Sequence, residues 1–264
     1  MPIKRIKRKL STIKKAWLGV GIFFGTLLLL FGLMWVITPS ANDVIETFKQ
    51  SQLQQPTVIY DKDGNRLDDG NSSNYRYLPL ARIPQYVKNA MLSAQDFNFY
   101  NHSGVDYIAM IKASRKSVKG QAGRFAGETI TQRLVGTLLY GEPTNLFQRL
   151  QVYFVTKKIE NAFSKDQIFE YYLNSVQFED HIRGIETASN LYFGKSCTHI
   201  NEAEAAMLAA IAVLPVDFSF KNDMDAIKAM QLLIIEEMAQ NQFVNFKDTA
   251  YWYKKVVKIN RDTS

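Results

Sequence analysis

The sequence predicts a mainly α-helical protein with one N-terminal transmembrane helix and a small β-hairpin at the start of its main domain. Three observations support this fold class: an uncharged run at 16–38, a strand-and-turn pattern at 56–67, and apolar positions spaced three or four residues apart from residue 83 onwards. The chain has 264 residues, 47% of them hydrophobic, which is too apolar for a disordered protein. Its single cysteine and three scattered histidines exclude a disulfide framework and predict no metal site.

The uncharged run at 16–38 is long enough for a transmembrane helix, because 23 residues reach about 35 Å and a hydrocarbon core is about 30 Å thick. Trp17 and Trp35 lie near its ends, as interfacial anchors do, and Pro39 follows it. A cleaved signal peptide is the alternative. Its apolar core is usually only about 7–15 residues long, and Pro39-Ser40-Ala41 is a poor cleavage site, so an uncleaved anchor is favoured.

The excess positive charge lies entirely before this run. Residues 1–15 hold seven of the 32 basic residues and no acid, and the remaining 25 basic residues are balanced by 25 acidic ones. This distribution argues against a nucleic-acid partner and predicts a cytoplasmic N-terminus with the main domain on the outer side of the membrane. The predicted organisation is a basic arm at 1–15, the transmembrane helix at 16–38, a linker at 39–55, the main domain at 56–244 and an extension at 245–264.

Within the main domain, the pattern at 56–67 predicts the hairpin and the following chain predicts a series of helices. The first begins near residue 83. The later ones are predicted at 105–119, 129–140, 145–163, 165–174, 183–193, 201–213 and 223–240. The linker contains scattered apolar residues that are compatible with a short helix.

Residues 83–106 carry a specific motif, Gln95-Asp96-x-x-Phe99-x-x-His102-x-Gly104. It resembles the first motif of the peptidoglycan glycosyltransferases, Glu-Asp-x-x-Phe-x-x-His-x-Gly. These are the family 51 transglycosylase domains of class A penicillin-binding proteins and of monofunctional transglycosylases. The second family motif, Gly-Gly-Ser-Thr-Ile-Thr-Gln-Gln, corresponds to residues 126–133, which read Ala-Gly-Glu-Thr-Ile-Thr-Gln-Arg. Further matches follow in the family's order: Tyr172-Leu173-Asn174, Arg183-Gly184-Ile185-Glu186, Tyr192-Phe193-Gly194-Lys195 and Ala203-Glu204-Ala205-Ala206.

The resemblance implies a lysozyme-like fold at the outer face of a bacterial inner membrane, and a reaction that polymerises the lipid-linked disaccharide lipid II into glycan. It also implies a face that dips into the membrane, for which the apolar runs 134–135 and 138–140 are candidates. No transpeptidase domain is expected in these residues, because Lys-Thr-Gly is missing and the one Ser-x-x-Lys, at 11–14, lies in the basic arm.

Two departures from the family pattern bear on catalysis. The family's general base is a glutamate, and Gln95 stands in its place; a carboxamide is not a usable base near neutral pH. The third family motif, Arg-Lys-x-x-Glu, aligns with residues 148–152, so that the second acid falls on Val152. In the family that acid assists the leaving diphosphate, with a divalent cation as a candidate helper. A cation is therefore expected only if the protein is active, and no other cofactor is predicted.

Two carboxylates are candidate substitutes for the missing base. Asp96 adjoins Gln95, but on a helix its side chain points about 100° away, which favours a structural role. Glu128 is an acid that the family pattern lacks, and it would repel a diphosphate. His102 is expected to form structural hydrogen bonds rather than to act in acid–base chemistry, and Glu160 to pair with a lysine.

Substrate binding is predicted for residues that can hold sugar hydroxyls or a diphosphate, which needs several cationic or N–H donors. The candidates are His102, Arg115, Lys119, Arg124, Thr129, Thr131, Gln132 and Arg183.

Three functions remain open on the sequence. The favoured one is a membrane-anchored pseudoenzyme of cell wall biogenesis that binds lipid II or nascent glycan, or that regulates wall synthesis proteins. The second is an active glycosyltransferase with a relocated base. The third is a module that uses the fold for protein–protein contact alone.

Overall fold

The computed structural model describes residues 2–53, 75–118, 127–141, 143–179, 182–214 and 223–245. The chain divides into two compact units, Met1–Pro39 and Ser40–Ser264. The predicted hairpin at 56–67 and the extension at 245–264, apart from residue 245 itself, lie outside the described residues.

The first unit is helix α1, Pro2–Ile37. Its apolar side chains from Trp17 onwards are exposed, apart from the half-buried Met34; Trp17 is 71% and Leu28 72% exposed. Among the described residues, one segment within Trp17–Gln50 is long and apolar enough to cross a membrane. Its mean hydropathy is 2.4, and none of the segment is buried. The predicted helix is confirmed; its membrane orientation stays a prediction.

The second unit is built from nine described helices and one small sheet. The helices are α2 Ala41–Leu53, α3 Gln85–Gln95, α4 Tyr107–Val118, α5 Ile130–Tyr140, α6 Leu146–Ala162, α7 Lys165–Ser175, α8 Ile185–Phe193, α9 Glu202–Val213 and α10 Met224–Gln240. Short 3₁₀ turns cover Leu80–Arg82 and Phe99–Asn101. Strands β1, Gln177–Glu179, and β2, Ile182–Arg183, pair antiparallel. The mainly helical fold class is confirmed, and the sheet between α7 and α8 was not predicted.

Helix α9 forms the centre of the core. It is alanine-rich and apolar on all sides, and every residue from Ala203 to Ala212 is buried. A helix that is hydrophobic all round is typical of a buried element, and the small side chains let neighbouring helices approach closely. Helices α3 and α10 pack on α9, while α5, α6 and α7 pack on one another.

The predicted linker at 39–55 contains α2, and this helix belongs to the core. Its spacing places Ala41, Val44, Ile45 and Phe48 on one face, and all four side chains are buried. The ring of Phe48 packs edge-on against Tyr171 of α7, with centroids 6.2 Å apart. The folded unit therefore begins at α2.

The connection between α8 and α9 is organised by one buried carboxylate. Glu186 accepts hydrogen bonds from the backbone N–H of Cys197 at 2.9 Å and from the Ser196 hydroxyl at 3.0 Å. The Cys197 thiol is fully buried, and burial, with a smaller contribution from Glu186, raises its pKa to about 12.

Candidate functional site

The first motif joins the end of α3 to the start of α5. Helix α3 ends at Gln95, and Asp96 is its C-cap. The Asp96 carboxylate contacts His102 Nε2 at 2.9 Å and accepts from the backbone N–H of Ile130 at 3.1 Å. His102 Nδ1 accepts from the backbone N–H of Gly104 at 3.1 Å. Since Asp96 is only 8% exposed and both of its oxygens are engaged, the geometry favours a structural role for Asp96 and His102.

Gly104 allows α6 to pack tightly against this motif. Its φ is +87°, a conformation that favours glycine. A Cβ at this position would lie 2.7 Å from Thr156 Cγ2 and 2.8 Å from Glu160 Cγ. The Gly104 carbonyl also accepts from the Thr129 hydroxyl at 2.6 Å, so the motif is tied to the segment before α5 as well.

Gln95, at the position of the family base, is held on both sides of its amide. Its Nε2 donates to the Glu128 carbonyl at 3.3 Å, and its Oε1 accepts from Arg133 Nη1 at 2.7 Å. Arg133 Nη2 donates in turn to the Ala212 carbonyl at the end of α9. Arg133 is only 9% exposed, so a guanidinium is buried beside the place where the family pattern has its proton acceptor.

Val152, at the position of the family's second acid, lies on α6 with 6% exposure and packs in the core. A hydrocarbon supplies no oxygen to a divalent cation, so this position does not fit one. In the part of the chain that the structure describes, no group of three or more His, Cys, Asp or Glu side chains is arranged to hold a metal ion.

Glu128 precedes α5 and is half-buried. Burial raises the pKa of its carboxyl, and the charges of Arg133 and Arg149 oppose that rise. A carboxyl with a raised pKa close to the base position has the property required of a substitute base.

The threonines and the glutamine of the second motif are engaged within the protein. Thr129 and Gln132 form a capping box at the start of α5, in which the Thr129 N–H donates to Gln132 Oε1 at 3.0 Å. Thr131 is fully buried and its hydroxyl donates to the Glu160 carboxylate. Glu160 pairs with Lys165 at 2.9 Å, which confirms the predicted ion pair. These contacts favour roles in holding the site together.

Of the four predicted basic ligands, Arg183 is the one whose side chain the structure describes. Arg183 lies on β2, where its side chain is exposed and its backbone pairs with Gln177. Arg115 lies on α4. Lys119 and Arg124 lie outside the described residues.

Two arginines near the site were not singled out from the sequence. Arg133 replaces the second glutamine of the motif Gly-Gly-Ser-Thr-Ile-Thr-Gln-Gln, and Arg149 stands at the lysine of Arg-Lys-x-x-Glu. The first of these is a gain of charge inside a motif, and that signal could have identified it. Arg149 is exposed in the first turn of α6 and acts electrostatically on Glu128.

The prediction that residues 134–135 face the membrane is wrong, because Leu134 and Val135 are fully buried in the core. Large exposed apolar side chains lie instead on α4 and at the start of α6, two helices joined by a contact of 3.3 Å between the hydroxyls of Tyr107 and Tyr153. They are Tyr107, Ile108, Met110, Ile111, Leu146, Phe147 and Leu150. We call these seven residues the α4–α6 apolar group.

Comparison with known proteins agrees with the motifs. The transglycosylase family model matches residues 63–239. Penicillin-binding protein 2D of Bacillus subtilis is 31% identical over 249 residues, which cover 94% of this chain and 35% of that protein. Penicillin-binding protein 1A of Pseudomonas aeruginosa is 30% identical over 199 residues, which cover 75% of this chain and 24% of that protein.

A solved structure, penicillin-binding protein 1A from Haemophilus influenzae, is similar over 79% of this chain and 21% of its own, with TM-score 0.44 and 17% identity. The family match covers more than half of the sequence, and the chain belongs to the transglycosylase family. It carries a peptidoglycan transglycosylase-type domain and spans about a third or less of the length of these relatives.

Proposed function

We propose that this protein is a membrane-anchored member of the family that no longer polymerises glycan. It acts in cell wall biogenesis by binding lipid II or nascent glycan, or by regulating wall synthesis proteins. The observation that carries the proposal is that the side chain of residue 95 is a hydrogen-bonded amide and not an acid. Its side chain is an amide whose oxygen accepts from Arg133 and whose nitrogen donates to the Glu128 carbonyl. A positioned general base is worth about 10²–10⁴ in rate, or about 3–5 kcal/mol of barrier, and an amide does not supply it.

The other positions support the same proposal. Val152 is buried in the core and offers no acid for the leaving group. Asp96 keeps its carboxylate, but contacts with His102 and with the N–H of Ile130 engage both oxygens. The apolar surface of α1 and the α4–α6 apolar group are each suited to lipid, which supports a site of action at the membrane.

The proposed ligand is lipid II or nascent glycan, and the proposed partners are wall synthesis proteins at the bacterial inner membrane. Arg149 is a candidate cation for a diphosphate, because it is exposed at the N-terminal turn of α6 and stands in the third motif. Saturable binding of fluorescent lipid II to the full chain in detergent is expected to weaken in Arg149→Gln. Lys228→Gln, which removes an exposed cation on α10, is the matched control.

Polymerisation of lipid II by the full chain in detergent tests the loss of activity directly. No glycan is expected above a no-protein control, and robust glycan would refute the proposal. Absence of saturable binding would instead favour the third function, a module for protein–protein contact.

The raised pKa of Glu128 is the specific observation that favours the second candidate function, an active polymerase with a relocated base. That candidate requires polymer from the unaltered chain and loss of polymer in Glu128→Gln. If polymer were formed equally by both chains, Glu128 would not be the base.

A further inference from the structure

Arg133 is a buried cation whose hydrogen bonds span two parts of the core. It lies in the first turn of α5, with one guanidinium nitrogen donating to Gln95 at the end of α3 and the other to the Ala212 carbonyl near the end of α9. Such a charge is stable in the interior only where acceptors surround it.

A glutamine at residue 95 fits the hydrogen-bonding groups of Arg133 and Glu128 better than a glutamate would. The amide accepts from the guanidinium and donates to the Glu128 carbonyl. A carboxylate has no proton to donate, so it would face the Glu128 carbonyl with a lone pair while pairing with Arg133. Both residues depart from the family pattern, and each departure satisfies the other.

We propose that Arg133 is a second inactivating substitution that acts through residue 95, because its guanidinium would hold even a restored carboxylate in a charged hydrogen bond and keep it from accepting a proton. This rests on the proposed loss of polymerisation. Arg133 is thus a positioning residue: it orients the amide of Gln95, and it would keep a glutamate at 95 ionised.

Other charged and titratable groups surround the pair. Glu128 lies on the segment before α5, Asp96 and its partner His102 follow α3, and Arg149 lies on α6. Tyr172 of α7 is fully buried and interacts with Arg133 and Asp96. Asp96 is engaged by His102 and Ile130, and Arg149 is exposed, which leaves Arg133 as the cation in hydrogen-bond contact with residue 95.

The test is the pKa of a glutamate placed at 95, with and without Arg133, in the full chain in detergent. The pH dependence of Tm is compared for Gln95→Glu against the unaltered chain, and for Gln95→Glu/Arg133→Gln against Arg133→Gln. Each difference compares two chains that share Glu128 and the same residue at 133, so the effect of Arg133 on the titration of Glu128 is matched within each pair.

With Arg133 present, the folded pKa of the new glutamate is expected to fall about 1–3 units below about 4.3. Gln95→Glu then gains stability relative to the unaltered chain as the pH rises through that window. With Arg133 removed, burial raises the folded pKa, and the corresponding difference in Tm falls as the pH rises.

Opposite pH slopes of the two Tm differences support the proposal, and slopes of the same sign overturn it. Arg133→Met introduces a neutral side chain of similar length and serves as a second reference. The pH slope of the Tm difference for Gln95→Glu must have the same sign in Arg133→Met as in Arg133→Gln. Polymer formed from lipid II by the unaltered chain would refute the proposed loss of activity, while the two pH slopes test Arg133 alone.

Discussion

Gln95 and Asp96 are neighbours in the chain, yet they serve two different parts of the molecule. Asp96 keeps the residue type of the family pattern, and it joins the end of α3 to His102 and to the start of α5. Gln95 departs from the pattern and is held by Arg133, which departs as well. The comparison indicates that the retained residue supports the fold, whereas the two departures form a pair with each other.

The same division extends beyond this pair. The framework group, defined as Asp96, His102, Gly104 and Thr129, keeps the family's residue types and makes contacts between helices. The altered group, defined as Gln95, Glu128, Arg133 and Val152, holds the departures. Substitutions at Asp96 and Gly104 of the framework group should therefore cost more stability than substitutions at Gln95 and Glu128 of the altered group.

The largest effect is expected for Asp96→Ala. It leaves the Ile130 N–H and the His102 ring without their buried acceptor, so the free energy of unfolding should fall by about 3 kcal/mol. Chemical denaturation of the full chain in detergent measures this. Asp96→Asn, which keeps an acceptor oxygen, should lose less. A loss for Asp96→Ala no larger than for Gln95→Ala would break the comparison.

Gly104→Ala should cost about 2 kcal/mol, because the added methyl meets Thr156 and Glu160 below 3 Å. The matched control is Gly141→Ala. Gly141 also has a positive φ, +68°, but nothing lies within 4 Å of its Cβ position, so only about 1 kcal/mol of backbone strain is expected. Equal losses in the two variants would show that packing against α6 contributes nothing.

Gln95→Ala should cost about 1.5 kcal/mol, because it removes two side-chain hydrogen bonds, one of them from the buried Arg133 guanidinium. The same denaturation experiment measures it. A loss of more than about 3 kcal/mol would place Gln95 among the residues that bear the fold and would contradict the division drawn above.

The smallest effect concerns pH. Because burial raises the pKa of Glu128, the folded state holds this proton more tightly than the unfolded state and loses relative stability as the pH rises. The difference in Tm between Glu128→Gln and the unaltered chain should therefore become more positive from about pH 4 to about pH 7. An opposite trend would mean that Arg133 and Arg149 dominate and that Glu128 is an ionised partner.

The helices of the second unit could be predicted from the sequence because apolar spacing and caps are local signals. Asn145, Ser164 and Asn201 each begin a helix with a capping box, and each helix starts within two residues of its predicted position. The strands at 177–179 and 182–183 were not predicted, because strands of three and two residues are too short to show an alternation of apolar and polar residues. The burial of α2 and of Leu134 depends on which helices face them, and spacing alone does not show that.

The candidate site was predictable in part for a related reason. Alignment with the family motifs identified residues 95 and 152, because a changed residue type at a motif position can be read directly from the sequence. The role of Arg133 depends on residues far apart in the chain, 95 and 212, that meet only in the folded structure. Thr131 was predicted to bind substrate because it lies in the second family motif. In the structure its hydroxyl instead donates a hydrogen bond to Glu160 inside the protein.

The environment of Cys197 has a practical consequence for every experiment above. Thiol-reactive probes attack the thiolate at accessible positions, and this single thiol is enclosed and protonated at neutral pH. A cysteine introduced at an exposed site such as Leu233 on α10 can therefore be labelled selectively without first removing the native one. Maleimide dyes or spin labels then follow ligand binding on a chain that is otherwise unaltered.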